Sequence, residues 1–79
     1  MKPEWRKILS LRNTKNKIFY SKYNRPSSIQ SAMNGLKDAG YIVWLDTAML
    51  SNTVGADIYL LTPKGAKFCD DNGIVKTKY

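Results

Sequence analysis

Ser27-Ser28-Ile29-Gln30-Ser31-Ala32-Met33-Asn34-Gly35-Leu36-Lys37-Asp38-Ala39-Gly40 is the stretch from which the rest of the chain is read. Ile29, Ala32, Met33, Leu36 and Ala39 recur at helical spacing, so one stripe is apolar and is expected to be buried. At about 100° per residue the opposite face carries Ser31, Asn34 and Asp38, with Gln30 and Lys37 flanking them. Ser27 with Gln30 three residues on has the form of a capping box, in which the serine oxygen accepts a free backbone N–H and the glutamine reaches back. Gly40 suits the left-handed position that closes a helix, because glycine has no Cβ to clash. The pattern predicts a helix over 27–39 with a polar outer face.

Downstream, Tyr41-Ile42-Val43-Trp44-Leu45 is β-branched and aromatic, and so is Asp57-Ile58-Tyr59-Leu60-Leu61 after the stretch 46–56. The two runs predict a hairpin with a large loop, Ser51, Asn52, Thr53 and Gly55 serving as turn formers. Thr62 is a good N-cap with Pro63 at the first helical position, and Leu61 can staple onto Ala66. A short helix is therefore expected to about Asn72, where Gly73 ends it, with 74–79 as a tail whose first two residues pack. Upstream, Pro3 or Glu4 opens a helix with Trp5, Ile8, Leu9 and Arg12 on one side. Asn13-Thr14 then offers a cap for a second helix from about Lys15 to Tyr23, with Ile18, Phe19 and Tyr23 inward. Asn24-Arg25-Pro26 reads as a tight turn, since proline disfavours helix at the residue before it.

The chain has 79 residues, enough for one domain with one modest core and no elaborate cleft. No apolar run approaches the length of a bilayer span, and the basic start lacks a secretory apolar stretch, so the cytoplasm is the expected compartment. With a single cysteine, Cys69, and no histidine, neither an internal disulfide nor a Cys/His zinc site can form. No nucleophile with a base partner can be picked out, so an enzyme is not expected, nor is a metal or cofactor. Asp70-Asp71-Asn72-Gly73 lacks the alternating ligands of a calcium loop and reads as a helix end. Trp5, Phe19, Trp44, Tyr59 and Phe68 mostly occupy core-phase positions, which weakens a reading as a single-strand binder that stacks bases on tyrosines.

Charge is unevenly spread. The segment 1–25 holds Lys2, Arg6, Lys7, Arg12, Lys15, Lys17, Lys22 and Arg25 against Glu4 alone, which accounts for the formal net charge of +7. The middle, by contrast, has Lys37 against Asp38, Asp46 and Asp57. A basic cluster of this kind attracts polyanions with a salt-dependent affinity.

Two helices meeting through a short turn, the second with an uncluttered polar face, is how a helix-turn-helix meets a major groove. The order helix, turn, helix, hairpin, helix resembles the winged-helix superfamily. Ser27-Ser28-Ile29 through Gly40-Tyr41-Ile42 is similar to the recognition helix and first wing strand of MarR- and PadR-type regulators. Ile58-Tyr59-Leu60-Leu61-Thr62-Pro63-Lys64-Gly65 is similar to their second wing strand and following helix. Lys15-Asn16-Lys17-Ile18-Phe19-Tyr20 resembles the second helix of small archaeal winged-helix DNA-binding proteins. The resemblance implies an α+β winged helix over 1–79: a three-helix helix-turn-helix core, a two-stranded β-hairpin wing and a short C-terminal helix. It implies a double-stranded DNA-binding protein, a small transcriptional regulator or chromosome-associated factor, lodged on the nucleoid. Base contacts would fall to Ser28, Gln30, Ser31 and Asn34, and phosphate contacts to Lys15, Lys17, Lys22, Arg25 and Lys37. Two departures follow: 46–56 contains no basic residue, and no long dimerisation helix follows the last helix. The alternative is a winged-helix module that docks on a protein partner, or on itself, through the uncharged wing 46–56.

Overall fold

The computed structural model describes residues 2–22, 25–49 and 55–76, without the side chain of Met49. The elements are α1 (Pro3–Ser10), β1 (Lys17–Ser21), α2 (Ser27–Asp38), β2 (Ile42–Met49), β3 (Gly55–Leu61) and α3 (Pro63–Asp71). Among the described residues the fold is α+β, with three helices and one three-stranded antiparallel sheet in the order β1-β3-β2.

Four of the five stripe residues of α2, Ile29, Ala32, Met33 and Leu36, are in the core, while Ala39 is half-buried at the C-cap. Its end is a Schellman closure: Gly40 has φ +82°, its N–H donates to the Lys37 carbonyl, and the Tyr41 N–H donates to the Leu36 carbonyl. Gly35 lies where α1 crosses α2, and a Cβ there would come within 3.1 Å of the Trp5 ring. The start of α2 differs from the expected capping box. Pro26 is the N-cap residue and its carbonyl accepts from the Ile29 and Gln30 N–H groups, while no side chain caps the helix.

A second correction concerns the expected helix from Lys15 to Tyr23, because Lys17–Ser21 is a strand. Asn16 sits at φ +61°, and the Asn13 side-chain oxygen accepts from the N–H groups of Lys15 and Lys17, which fixes a turn where a helix would have started. From there Ile18 is fully buried and Phe19 exposed, the period of two that a strand imposes. The strand pairs with β3, matching Ile18 to Tyr59 and Tyr20 to Asp57. The element that precedes α2 is thus a strand, with Pro26 extended between them, and the hairpin is not two-stranded but part of a sheet of three. Tyr23 and Asn24, on which part of the turn reading fell, lie outside the described residues.

The hairpin strands also run further than expected. β2 continues to Met49 and β3 begins at Gly55, which therefore opens a strand rather than serving as a turn former, while Ser51, Asn52 and Thr53 lie outside the described residues. A register shift between Trp44 and Asp46 makes a bulge at Leu45. Of the five aromatics read as core, Tyr59 is buried and Trp5 and Phe68 are partly buried, whereas Phe19 and Trp44 are exposed. Trp5 and Phe68 join Tyr41 in a cluster in which the Tyr41 and Phe68 rings stack 4.3 Å apart.

The third helix follows its sequence signals. The Thr62 hydroxyl accepts from the Gly65 N–H at 3.0 Å and donates to the Gly40 carbonyl at 2.6 Å, so one side chain caps α3 and ties it to the end of α2. Gly73 at φ +63° closes the helix, and the Ile74 N–H donates to the Cys69 carbonyl. Ile74 is buried, while Val75 is exposed. Arg12, itself buried, donates to the carbonyls of Leu9 and Ile74, each at 2.8 Å, and so holds the chain beyond α3 against α1. Cys69 is a buried small side chain, and burial pushes its thiol up.

At Gly65, α3 passes so close to the residue before β2 and to the end of β3 that an added Cβ would collide with the Tyr41 carbonyl oxygen and with Leu61 Cδ1. Gly65→Ala is expected to destabilise the fold by about 3 kcal/mol, at the upper end of ordinary substitutions. Urea unfolding followed by far-UV circular dichroism checks this, and a midpoint unchanged from the parent would contradict the close approach.

Candidate nucleic-acid interface

Ser28, Gln30, Ser31, Asn34 and Lys37 all lie exposed on α2, Ser31 and Asn34 opposite its buried stripe, Gln30 and Lys37 on one flank and Ser28 on the other. Helical spacing brings Gln30, Ser31 and Asn34 together, and the residue two before the helix gives them a second feature. Arg25 Nη1 donates to Gln30 Oε1 at 2.9 Å, and Gln30 Nε2 donates to Asn34 Oδ1 at 3.2 Å. The glutamine is thus not a cap but the middle member of a side-chain chain along the outer face. With Gln30 and Asn34 oriented this way, their remaining amide donors and acceptor lone pairs face solvent in a fixed order.

The chain is anchored inside the molecule. The Arg25 side chain is only 7% exposed and its Nη2 lies 3.1 Å from Asp57 Oδ2. The same guanidinium donates to the carbonyls of Tyr20 and Ser21 and lies 5.4 Å from the Tyr20 ring centre. Asp57 sits on β3, where its other oxygen accepts from Trp44 Nε1 at 3.2 Å and Thr47 Oγ1 at 3.3 Å. Lys22 Nζ is 3.8 Å from that oxygen and about half exposed, so it keeps a face toward solvent. Burial alone would raise the Asp57 carboxyl. The hydrogen bonds from Trp44 and Arg25 and the charges of Lys22 and Arg25 outweigh it and hold the group below its ordinary value near 3.8.

The expected phosphate contacts therefore do not form one group. Lys22 and Arg25 lie at the end of β1 next to α2, but Arg25 is engaged internally. Lys15 is exposed in the turn before β1, and Lys17 opens that strand, about 13 Å of extended chain from Ser21. Lys37 is exposed near the far end of α2. One cation that sequence reading did not single out belongs with them: Lys7 lines a cleft with Pro3, Glu4, Pro26, Ser28 and Ile29, beside the start of α2. Its place follows from α1 packing on α2, which periodicity alone does not give.

Among the described residues no helix is long and apolar enough to cross a membrane, and no three His, Cys, Asp or Glu side chains gather as metal ligands would. Compared with models of known families, with curated proteins and with solved structures, the chain matches none.

A folded carboxyl held below its unfolded value contributes stability that is fully present above that value and lost as pH falls through the folded one. Urea midpoints should accordingly drop as pH falls below about 4. Asp57→Asn, which leaves Arg25 buried without a counter-ion, should cost about 3 kcal/mol at neutral pH and flatten that acid limb. An acid limb of unchanged steepness in the variant would show that the pair does not carry it.

Proposed function

We propose that this protein binds double-stranded DNA, with α2 laid in the major groove and Ser28, Gln30, Ser31 and Asn34 turned to base edges. The observation that carries the reading is the hydrogen-bonded run Asp57–Arg25–Gln30–Asn34, which holds two amide side chains on an exposed helix face. Glutamine and asparagine amides match the donor and acceptor pair that adenine presents in that groove, and orientation in advance lowers the entropy cost of reading it. Lys7, Lys22 and Lys37 border the same face and are assigned to phosphates. Lys15 and Lys17 reach the backbone only if the duplex extends past the end of the sheet.

Support for a winged-helix arrangement comes from α2 leading through Gly40 into the β2–β3 hairpin, with β1 adding a third strand. In this reading, β1 and the turn at Pro26 stand where the second helix of a helix-turn-helix would be. The role that follows is a small regulator or chromosome-associated factor, working on the nucleoid without metal or cofactor.

Gel-shift titration against random duplex at two salt concentrations tests the reading. Retardation should weaken steeply with salt, and a Lys7→Ala/Lys22→Ala/Lys37→Ala variant should bind all sequences less tightly. Its log–log salt slope should fall by about 0.9 for each phosphate contact removed. Asn34→Ala should leave that slope in place and change which sequences are preferred. Absence of salt-dependent retardation would overturn the proposal in favour of a module that docks on protein through the wing 46–56, which carries no basic residue.

A further inference from the structure

Cross-strand partners project to the same side, so the register sorts the sheet into two faces. Ile18, Ile42, Tyr59 and Leu61 lie on one face and join the helices in the core. On the other face the rungs are Lys17–Leu60–Val43 and Phe19–Ile58–Asp46, with Ala56 beyond them. The buried residues of α1, α2 and α3 that form the apolar core gather against the first face.

An antiparallel sheet with a watered face ordinarily alternates apolar residues inward with polar ones outward. Here the central strand turns Ile58 and Leu60 outward, and both edges add to them: Phe19 is 47% exposed and Val43 43%. Ala56 is fully buried, which bounds the open patch on the side of the wing. A contiguous apolar surface of this kind on a soluble chain marks an interaction site.

The charges at its margins indicate the occupant. Lys17 stands on the β1 edge beside Leu60, and Asp46 on the β2 edge beside Ile58, one cation and one anion on opposite borders. A half-turn about an axis along β3 exchanges the two edges. Two such faces stacked about 10 Å apart would place each Lys17 over the partner's β2 edge, two residues or about 7 Å along the strand from Asp46, within side-chain reach. The apolar centre then meets an apolar centre, and each cation meets an anion, twice by symmetry.

We propose that the helix-free face of the sheet, centred on Phe19, Val43, Ile58 and Leu60, binds a second copy of this chain face to face about a two-fold axis along β3. This does not rest on DNA binding, since the patch and the exposed face of α2 share no residue. Three strands about 4.8 Å apart over a few rungs cover only a few hundred Å², below the roughly 800 Å² per partner of a standard interface. The dimer is therefore weak, with a dissociation constant on the order of 0.1 mM.

Sedimentation equilibrium of the full chain from about 10 μM to 1 mM tests this, with circular dichroism confirming the fold of each variant. A monomer–dimer equilibrium is expected, and Phe19→Thr/Val43→Thr, which keeps strand-forming side chains, should abolish it. Lys17→Glu alone and Asp46→Lys alone should each weaken the dimer about tenfold, and the two together should restore it. A monomer up to 1 mM overturns the proposal and leaves the patch to another occupant. So does a dimer that survives the threonine variant, or a double charge exchange that fails to recover association.

Discussion

The arrangement of the polar helix face depends on a buried ion pair between Arg25 and Asp57. Arg25 leaves the chain between β1 and α2, and its guanidinium bonds to two carbonyls at the end of β1, to the carboxylate on β3 and to Gln30 on α2. One planar group thus fixes the angle at which the helix departs from the sheet. Such pairs give little net stability, because removing both charges from water offsets most of their attraction. What this pair contributes is geometry: the fork of donors admits one arrangement of strand, turn and helix, and a lysine could not make the same set of contacts.

Local signals were legible in the sequence and long-range ones were not. The α2 stripe, the Gly40 closure, the Thr62-Pro63 start of α3 and its Gly73 end are each set by residues within one or two helical turns, so reading them needs no knowledge of the fold. Lys17-Ile18-Phe19-Tyr20-Ser21 shows the opposite. Its apolar spacing suits helix poorly, and the partner that makes it a strand is nearly forty residues away, where Phe19 meets Ile58. Neighbours on the sheet decide strand formation more than intrinsic preference does, and a sequence window does not contain them. Ser27 and Gln30 do not form a capping box because Pro26 takes the N-cap position one residue earlier, and Gln30 bonds instead to Arg25 and Asn34.

The same distinction governs charge. A formal count places eight cations in the first 25 residues, yet Arg12 and Arg25 are structural. Arg12 holds the segment after α3 and Arg25 holds α2, so neither guanidinium presents itself to a polyanion. Of the remaining cations, Lys2, Arg6 and Lys7 lie on or beside α1, while the others fall at opposite ends of β1, with Lys22 near α2 and Lys15 and Lys17 away from it. Net charge is a sound guide to long-range attraction, but the footprint depends on which cations the fold consumes. Lys7 enters the proposed footprint only because α1 lies across α2.

The two proposed surfaces have a geometric consequence when taken together. The face of the sheet assigned to self-association lies opposite the helices, and the exposed face of α2 points away from the sheet because its other face is buried against it. A half-turn about β3 therefore stacks the two sheets in the middle of the dimer and leaves the two α2 helices on its far sides. Dimers that read one duplex place both recognition helices on the same side, one helical turn of DNA apart. A back-to-back pair cannot do this. It would instead hold two separate duplex segments, each reached by a single helix, so affinity for one short duplex would gain nothing from dimerisation, while two segments of a long molecule would be drawn together. Such an arrangement suits a factor that organises chromosomal DNA better than one that occupies a palindromic operator.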